Sequence, residues 1–259
     1  ILDRESGETL FDIIYERAPI SNVPGERTSP YQINIELPQQ ICRGRFKKDY
    51  LTDFDSEVKE EFEKEIEDYN FGFPTPPLLG KKTISIGACV RWAGGSIDTK
   101  NNILFVTSDN SVTLINLVKD NENKFSYYHE WDTLVDSDGY PAMKPPWGAI
   151  TALNLNNGKI IWQKPFGEIE ELKEKNIFNT GSTNRAGLTA SSGNVIFASG
   201  TEDNMFRVYN SSSGEELWSY KMESAGSAPP TIYEVNNKQY ILVPAYEKTG
   251  NKVYCFTLR

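Results

Sequence analysis

Three stretches share one beat, and that beat limits what the chain can fold into. In "ITALNLNNGKIIWQ" Asn154 leads to Gly158 and then to Trp162, and in "RVYNSSSGEELWSY" the same places hold Asn210, Gly214 and Trp218. At the start, "ILDRESGETLF" holds Asp3, Gly7 and Phe11. Each time the glycine follows the Asp or Asn by four residues, and the large ring follows the glycine by four more. Asp and Asn accept backbone hydrogen bonds in tight turns, glycine takes positive φ, and the ring can pack the hairpin on a neighbour. Asn-Gly hairpins are common by themselves. Three in one register, each with an aromatic at the same offset, argue for a repeating unit.

The sequence around the turns completes that unit. "NILFVTS" at 102–108, "NVIFASG" at 194–200 and "QYILVPAY" at 239–246 are short β-branched and aromatic runs bounded by Asn, Gly and Ser, which are strand signals. "GLTAS", "VIFASG", "MFRVYN" and "EELWSYKM" follow one another as a four-stranded meander, and "AGGSID", "ILFVTS", "AITALN" and "KIIWQKP" fill the same places before it. "PPTIYEV", "QYILVPAY" and "KVYCFTL" fill the first three places after it, while "ILDR" and "ETLFDIIYE" fill places three and four at the start. A meander of about 40 residues is the size of one β-propeller blade. The expected fold is all-β, with four-stranded antiparallel blades joined by tryptophan-docking turns. Residues 1–259 form a single partial propeller, and Phe11, Trp162 and Trp218 are expected at matching seams between sheets.

Two segments interrupt the pattern. Residues 18–83 read as an insertion between blades: a long irregular surface loop over 18–55, then one short surface helix over 56–70. The helix carries Val58, Phe62, Ile66 and Tyr69 on one stripe, and Asp55 or Ser56 can cap it. Residues 109–148 read as an excursion within a blade. The only histidine, His129, lies there and is expected at the surface rather than in catalysis.

The net charge of −9 argues against a nucleic-acid partner, because phosphate binding needs a concentrated basic face. Cys42, Cys89 and Cys255 are odd in number and form no CxxC pair, so neither zinc nor thioredoxin-like chemistry is indicated. They are expected as buried free thiols, with one long-range disulfide as the alternative. No signal peptide is visible. Ile1–Arg4 reads as the middle of a strand, so the chain is expected to be a piece of something longer.

The phrases between blades are more specific. "VPGERTSPYQ", "GFPTPPLLG", "WAGGSIDTKNNILFV", "GYPAMKPPWGAITALNLNNGKIIW", "NTGSTNRAGLTASSGNVIFASGTEDNMFRVYNSSSGEELW" and "TIYEVNNKQY" occur in this order. Together they resemble the C-terminal half of quinoprotein dehydrogenases of the membrane-bound glucose dehydrogenase type. The resemblance implies about half of an eight-bladed propeller with pyrroloquinoline quinone across its central channel. It implies an oxidoreductase acting on a sugar or other alcohol, and an electron acceptor that is a quinone or a cytochrome. The family's catalytic aspartate and its quinone-contacting lysine precede the strand that here begins at Ile1, so no catalytic residue is expected within the chain. Calcium, if used, would take its ligands upstream as well. The implied compartment is periplasmic or extracytoplasmic, with any membrane attachment through a missing N-terminal part. The remaining half of the ring, or another copy, would be a partner.

In a propeller the first strand of each blade lines the channel. The positions entering those strands are Arg91-Trp92, Asn184-Arg185 and Ser227-Ala228. Arg91, Trp92, Asn184 and Arg185 are therefore the candidate cofactor-binding residues, guanidinium suiting carboxylates and an amide suiting quinone oxygens. The structural alternatives are Trp92 as blade core and Asn184 as a turn residue. Asp98, Asp203 and Asn204 read as strand-end and turn residues. The chain departs from the family at "NRAGL", with Arg185 and Ala186, and at "VPAYEKTG". These departures leave a second reading, a non-catalytic propeller serving as a protein-interaction scaffold.

Overall fold

All three turns fold alike, because the same groups close them. Gly7, Gly158 and Gly214 donate to the carbonyls of Asp3, Asn154 and Asn210 at 2.9, 2.8 and 2.9 Å. The amides of Asp3, Asn154 and Asn210 donate in return to Glu8, Lys159 and Glu215 at 2.8, 2.9 and 2.8 Å. Each Asx side chain accepts the next free amides: Asp3 from Glu5 and Ser6, Asn154 from Asn156, and Asn210 from Ser212 and Ser213. The glycines have φ of +74°, +68° and +68°.

The computed structural model describes residues 1–72, 75–86, 89–120, 127–247 and 250–258. Residues 121–126 of the 109–148 segment, and Lys248 and Thr249 of "VPAYEKTG", lie outside them. In chain order come β1 (Ile14–Arg17), β2 (Tyr31–Asn34), α1 (Ser56–Glu65), β3 (Thr83–Ile86), β4 (Val90–Asp98), β5 (Ile103–Asp109), β6 (Val112–Lys119) and β7 (Tyr127–Thr133). Then follow β8 (Gly148–Asn154), β9 (Ile160–Pro165), α2 (Glu170–Lys173), β10 (Asn184–Ala190), β11 (Val195–Thr201) and β12 (Met205–Asn210). The last are β13 (Glu216–Lys221), β14 (Thr231–Val235), β15 (Lys238–Glu247) and β16 (Gly250–Thr257). These elements form two compact units, Ile1–Gly87 with Asn110–Lys144, and Ala88–Asp109 with Pro145–Arg259.

In the second unit the strands pair in the orders β4-β5-β8-β9, β10-β11-β12-β13 and β14-β15-β16, all antiparallel. These are the meanders read from the sequence. Strand β11 shows why its run is continuously apolar. Ile196 and Ala198 pack with Phe105, Ile150, Trp162 and Tyr209, whereas Phe197 packs on the other face with Phe206, Met222 and Val243. A strand buried on both faces needs apolar residues at every position.

Trp162 docks as expected. It is 8% exposed, its indole N–H donates to the Ser211 carbonyl at 2.9 Å, and its ring lies on Gly214. Trp218 differs, being 46% exposed against Phe206, Tyr220 and Phe256. The reason is geometric. The turn equivalent to Asn210–Gly214 would follow β16, which ends at Thr257, so Trp218 has no turn to lie on among the described residues.

The first unit departs from the expectation in two places. Residues 18–55 are not an entirely surface loop: Phe46 and Leu51 enter a core with Phe62, Ile66, Ile84, Leu114 and Met143. Strand β2, in the same segment, pairs with β1, while Leu2 meets Thr9 only in an isolated bridge. The 109–148 excursion likewise contains β6 and β7, which form a three-stranded sheet in the order β3-β6-β7. His129 is exposed on β7 beside Trp131, with ring centroids 4.8 Å apart.

Helix α1 folds as its stripe implies. Asp55 caps it by accepting from Glu57 and Val58, Phe62 and Ile66 are buried, and Val58 and Tyr69 pack on the same core. A short 3₁₀ turn, Ile66–Asp68, continues it.

The cysteine expectation is corrected. Cys42 and Cys89 are disulfide-bonded, and Cys255 is free but exposed. Widely spaced cysteines carry no local signal of pairing, which depends on a geometry that only the fold creates.

Candidate functional site

The first strands β4 and β10 each break register where they begin. Val90 pairs with Ser108, but the next paired residue is Gly95, opposite Val106. Asn184 pairs with Thr201, and the next is Gly187, opposite Ser199. Gly94 and Gly187, at the ends of these bulges, have φ of +72° and +80°. A bulge takes residues out of the ladder and re-aims their side chains. Trp92 is thus 96% exposed rather than part of the blade core, and Arg185 is exposed beside the fully buried Ala186. Gly200 makes room for that methyl, since a Cβ there would lie 2.5 Å from the Ala186 Cβ.

The bulges bring Arg91, Trp92 and Arg185 to one cavity of about 710 Å³. Ala225, Gly226 and Ser227 line it from the approach to β14, and Tyr246 from β15. Ser227 is held where its amide donates to the Pro244 carbonyl at 2.9 Å. Gly226 lies against Ser199, whose hydroxyl a Cβ would approach to 2.2 Å. Of the expected pair Ser227-Ala228, only Ser227 lines the cavity; Ala228 borders a separate groove with Pro229 and Pro230.

Arg91 and Arg185 differ electrostatically. The Arg91 guanidinium pairs with Asp109 at 2.6 Å, and the Asp109 carboxylate is wholly buried. Arg185 has no ion pair or side-chain hydrogen bond among the described residues, and no acidic side chain lines the cavity. Asn184 lies in β10 rather than in a turn and is fully buried, so it does not line the cavity. Its amide nitrogen donates to the Ser108 carbonyl at 3.0 Å, while its oxygen has no partner. The Arg91 Nε is also buried without one. Buried polar atoms left unpaired are unusual in a settled core.

Sequence reasoning did not anticipate Tyr246, which is 67% exposed. The available signal was "VPAYEKTG", where a large ring stands in a stretch that is glycine-rich in the resembled family. The polar groups at Asp98, Asp203 and Asn204 are structural. Asp98 accepts from the side chain of Asn101 and the amides of Lys100 and Asn101, which hold its carboxyl below the usual range. Burial acts to raise the Asp203 pKa, but hydrogen bonds from Arg207, Thr201 and Met205 outweigh it and hold the carboxyl low. Asn204 is a turn residue with φ +59°. No cluster of three or more His, Cys, Asp or Glu arranged to hold a metal occurs among the described residues.

Residues 1–241 match the family described as "PQQ: Glucose/ethanol/alcohol dehydrogenase, beta-propeller domain". The chain is 38% identical over 112 residues to the quinoprotein glucose dehydrogenase of Escherichia coli K12, a match covering 41% of this chain and 14% of that protein. It is 24% identical over 279 residues to the quinate/shikimate dehydrogenase (quinone) of Acinetobacter baylyi, covering 95% of this chain and 34% of that one. Among solved structures, the quinohemoprotein alcohol dehydrogenase of Comamonas testosteroni superposes with a TM-score of 0.51 at 16% identity, over 69% of this chain and 28% of that one. The matches to the two curated relatives thus span only 14% and 34% of their lengths.

Proposed function

Because the chain belongs to the β-propeller family of PQQ-dependent glucose, ethanol and alcohol dehydrogenases, we propose that it forms part of the wall around a pyrroloquinoline quinone in an enzyme oxidising a sugar or another alcohol. One observation carries the reading: of the six positions equivalent by register, Arg91, Trp92, Arg185 and Ser227 meet at one cavity bordered by three sheets, while Asn184 and Ala228 do not line it. The residues fit the group. A planar polycarboxylate suits two guanidinium groups and an open indole face. Asn184, the residue before Arg185, is fully buried with its side-chain oxygen unpaired.

The quinone, when bound, supplies the two-electron acceptor for alcohol oxidation. The chain's own residues bind and orient. Arg91, fixed by Asp109, holds a carboxylate in a set direction, and Trp92 offers a flat apolar surface for a ring. Tyr246 lines the cavity from β15. In the whole enzyme a quinone or a cytochrome would be the electron acceptor. Disulfide bonding at Cys42 and Cys89 supports an oxidising, extracytoplasmic setting. No helix among the described residues is long and apolar enough to cross a membrane.

The test is a titration of the folded protein with pyrroloquinoline quinone, followed by tryptophan fluorescence and by calorimetry. Saturable binding that weakens in Arg91→Gln and Trp92→Ala is expected. If the wild-type protein binds no quinone while its circular dichroism shows a folded β-protein, the cofactor reading fails and the scaffold reading takes its place.

A further inference from the structure

We propose that the first unit carries a binding site for neutral glycosides, pyranose rings whose anomeric carbon is capped, in the cavity beside β3 and residues 75–77. The site needs no quinone and stands or falls apart from the cofactor reading.

The cavity has a volume of about 420 Å³, within the range of about 300–1,000 Å³ usual for small-molecule sites. Its polar side chains are Thr28, Ser29, Gln32, Thr75, Thr83 and Ser85, and no lining side chain carries a charge. An ionised ligand entering it would give up its hydration and meet no opposite charge. Hydroxyl and amide groups both donate and accept, which is the pattern a polyhydroxylated ligand returns. The wall also holds three prolines, three isoleucines and Phe46, an apolar surface for the C–H face of a saturated ring.

Thr83 points to a ligand most directly. It is 2% exposed, and its Oγ1 accepts from the Asn70 side-chain nitrogen at 3.2 Å and from the Leu78 amide at 3.3 Å. With both lone pairs used the hydroxyl can only donate, and it donates to none of the described residues. Buried polar groups are normally satisfied, and a ligand hydroxyl oxygen in the cavity would accept this proton. The side chains of Thr28, Gln32 and Thr75 also make no hydrogen bond among the described residues. The wall itself is fixed. Asn70 holds the Pro76 carbonyl at 3.0 Å, and the Ala18 amide donates to the Pro30 carbonyl at 2.9 Å. Phe46, 3% exposed, meets Phe71 edge to face with ring centroids 5.2 Å apart. A site already in place spares a ligand the cost of ordering it.

The experiment titrates the folded protein, without quinone, by calorimetry with methyl β-D-glucopyranoside and methyl β-D-glucuronide, which differ at one carbon and by one charge. Saturable binding of the glucoside with a Kd on the order of 1 mM or tighter is expected, and binding of the glucuronide at least about tenfold weaker. Gln32→Ala and Thr83→Val should each weaken the glucoside by about threefold or more, the scale of one hydrogen bond, while Thr83→Ser keeps the hydroxyl and most of the affinity. If Thr83→Val does not fold, because it leaves Asn70 and Leu78 without an acceptor, Gln32→Ala decides alone. A wild-type protein that shows a folded β circular dichroism spectrum and no saturable glucoside binding overturns the proposal. So does a glucuronide that binds as tightly as the glucoside, or wild-type glucoside affinity in either folded variant.

Discussion

The Trp162 indole lies flat against Gly214 of the next sheet, and a Cβ on that glycine would come within 2.6 Å of the ring. One residue thus serves two purposes there: its φ of +68° closes a turn, and its missing side chain seats the neighbour's ring.

The two contributions can be separated. Gly7→Ala meets only the backbone cost, because nothing lies within 4 Å of an added Cβ at its φ of +74°. About 1–2 kcal/mol is expected. Gly214→Ala meets that cost and also displaces the indole, so its loss should exceed that of Gly7→Ala by about 1–3 kcal/mol. Urea unfolding of both proteins measures the difference; equal losses would mean that the ring does not depend on the glycine.

Trp162→Ala should cost about 3–5 kcal/mol, as for a buried ring. Trp218→Ala should cost much less, because Trp218 remains 46% exposed and has no turn beneath it among the described residues. Thermal unfolding of the pair orders them.

Arg207 and Asp203 are bonded with the carboxylate wholly buried, and Arg207 also reaches Glu216 at 3.2 Å. Arg207→Met leaves the carboxylate unpaired and should cost about 3–5 kcal/mol. The Asp203 pKa is held below its ordinary 3.8, so its contribution is complete above that pH and disappears as the pH falls through the lower folded value. Wild-type stability should therefore decline below about pH 4 more steeply than that of the variant, since without the arginine burial raises the carboxyl instead. Acid titrations followed by circular dichroism give both slopes.

Trp92→Ala should leave the melting temperature nearly unchanged, since the side chain is 96% exposed. Its quinone affinity should fall by roughly fivefold or more, the scale of one aromatic contact. A large loss of stability would place Trp92 in the core instead.

Thiol titration under native conditions should count one reactive group, Cys255, and after reduction and unfolding all three cysteines. Three reactive thiols without reductant would show that Cys42 and Cys89 are unpaired.

The sheets of the second unit were legible because a strand covered on both sides writes its burial into every position, as "VIFASG" does. Helix α1 was legible through Phe62 and Ile66 at helical spacing. Residues 18–55 were not, because Phe46 and Leu51 are isolated apolar residues among polar ones and show no period. Strand β7 was missed for the opposite reason: after Tyr127 its residues are exposed on both faces, so no alternation marks it. Register named Arg91, Trp92, Asn184, Arg185, Ser227 and Ala228, of which Arg91, Trp92, Arg185 and Ser227 line one cavity. It could not show that a bulge turns Trp92 outward, nor that Tyr246, from the far end of another strand, arrives at the same place.

The two interrupted ladders have a consequence for how such a protein can change. Trp92 and Arg185, both exposed on their bulges, contribute little to holding the sheets together, while Trp162, Gly214 and the apolar layers do that elsewhere. These two side chains can therefore be exchanged for others at small structural cost. The frame and the selectivity are under separate control, and a new specificity can arise at a few loosely held positions without the scaffold being refolded.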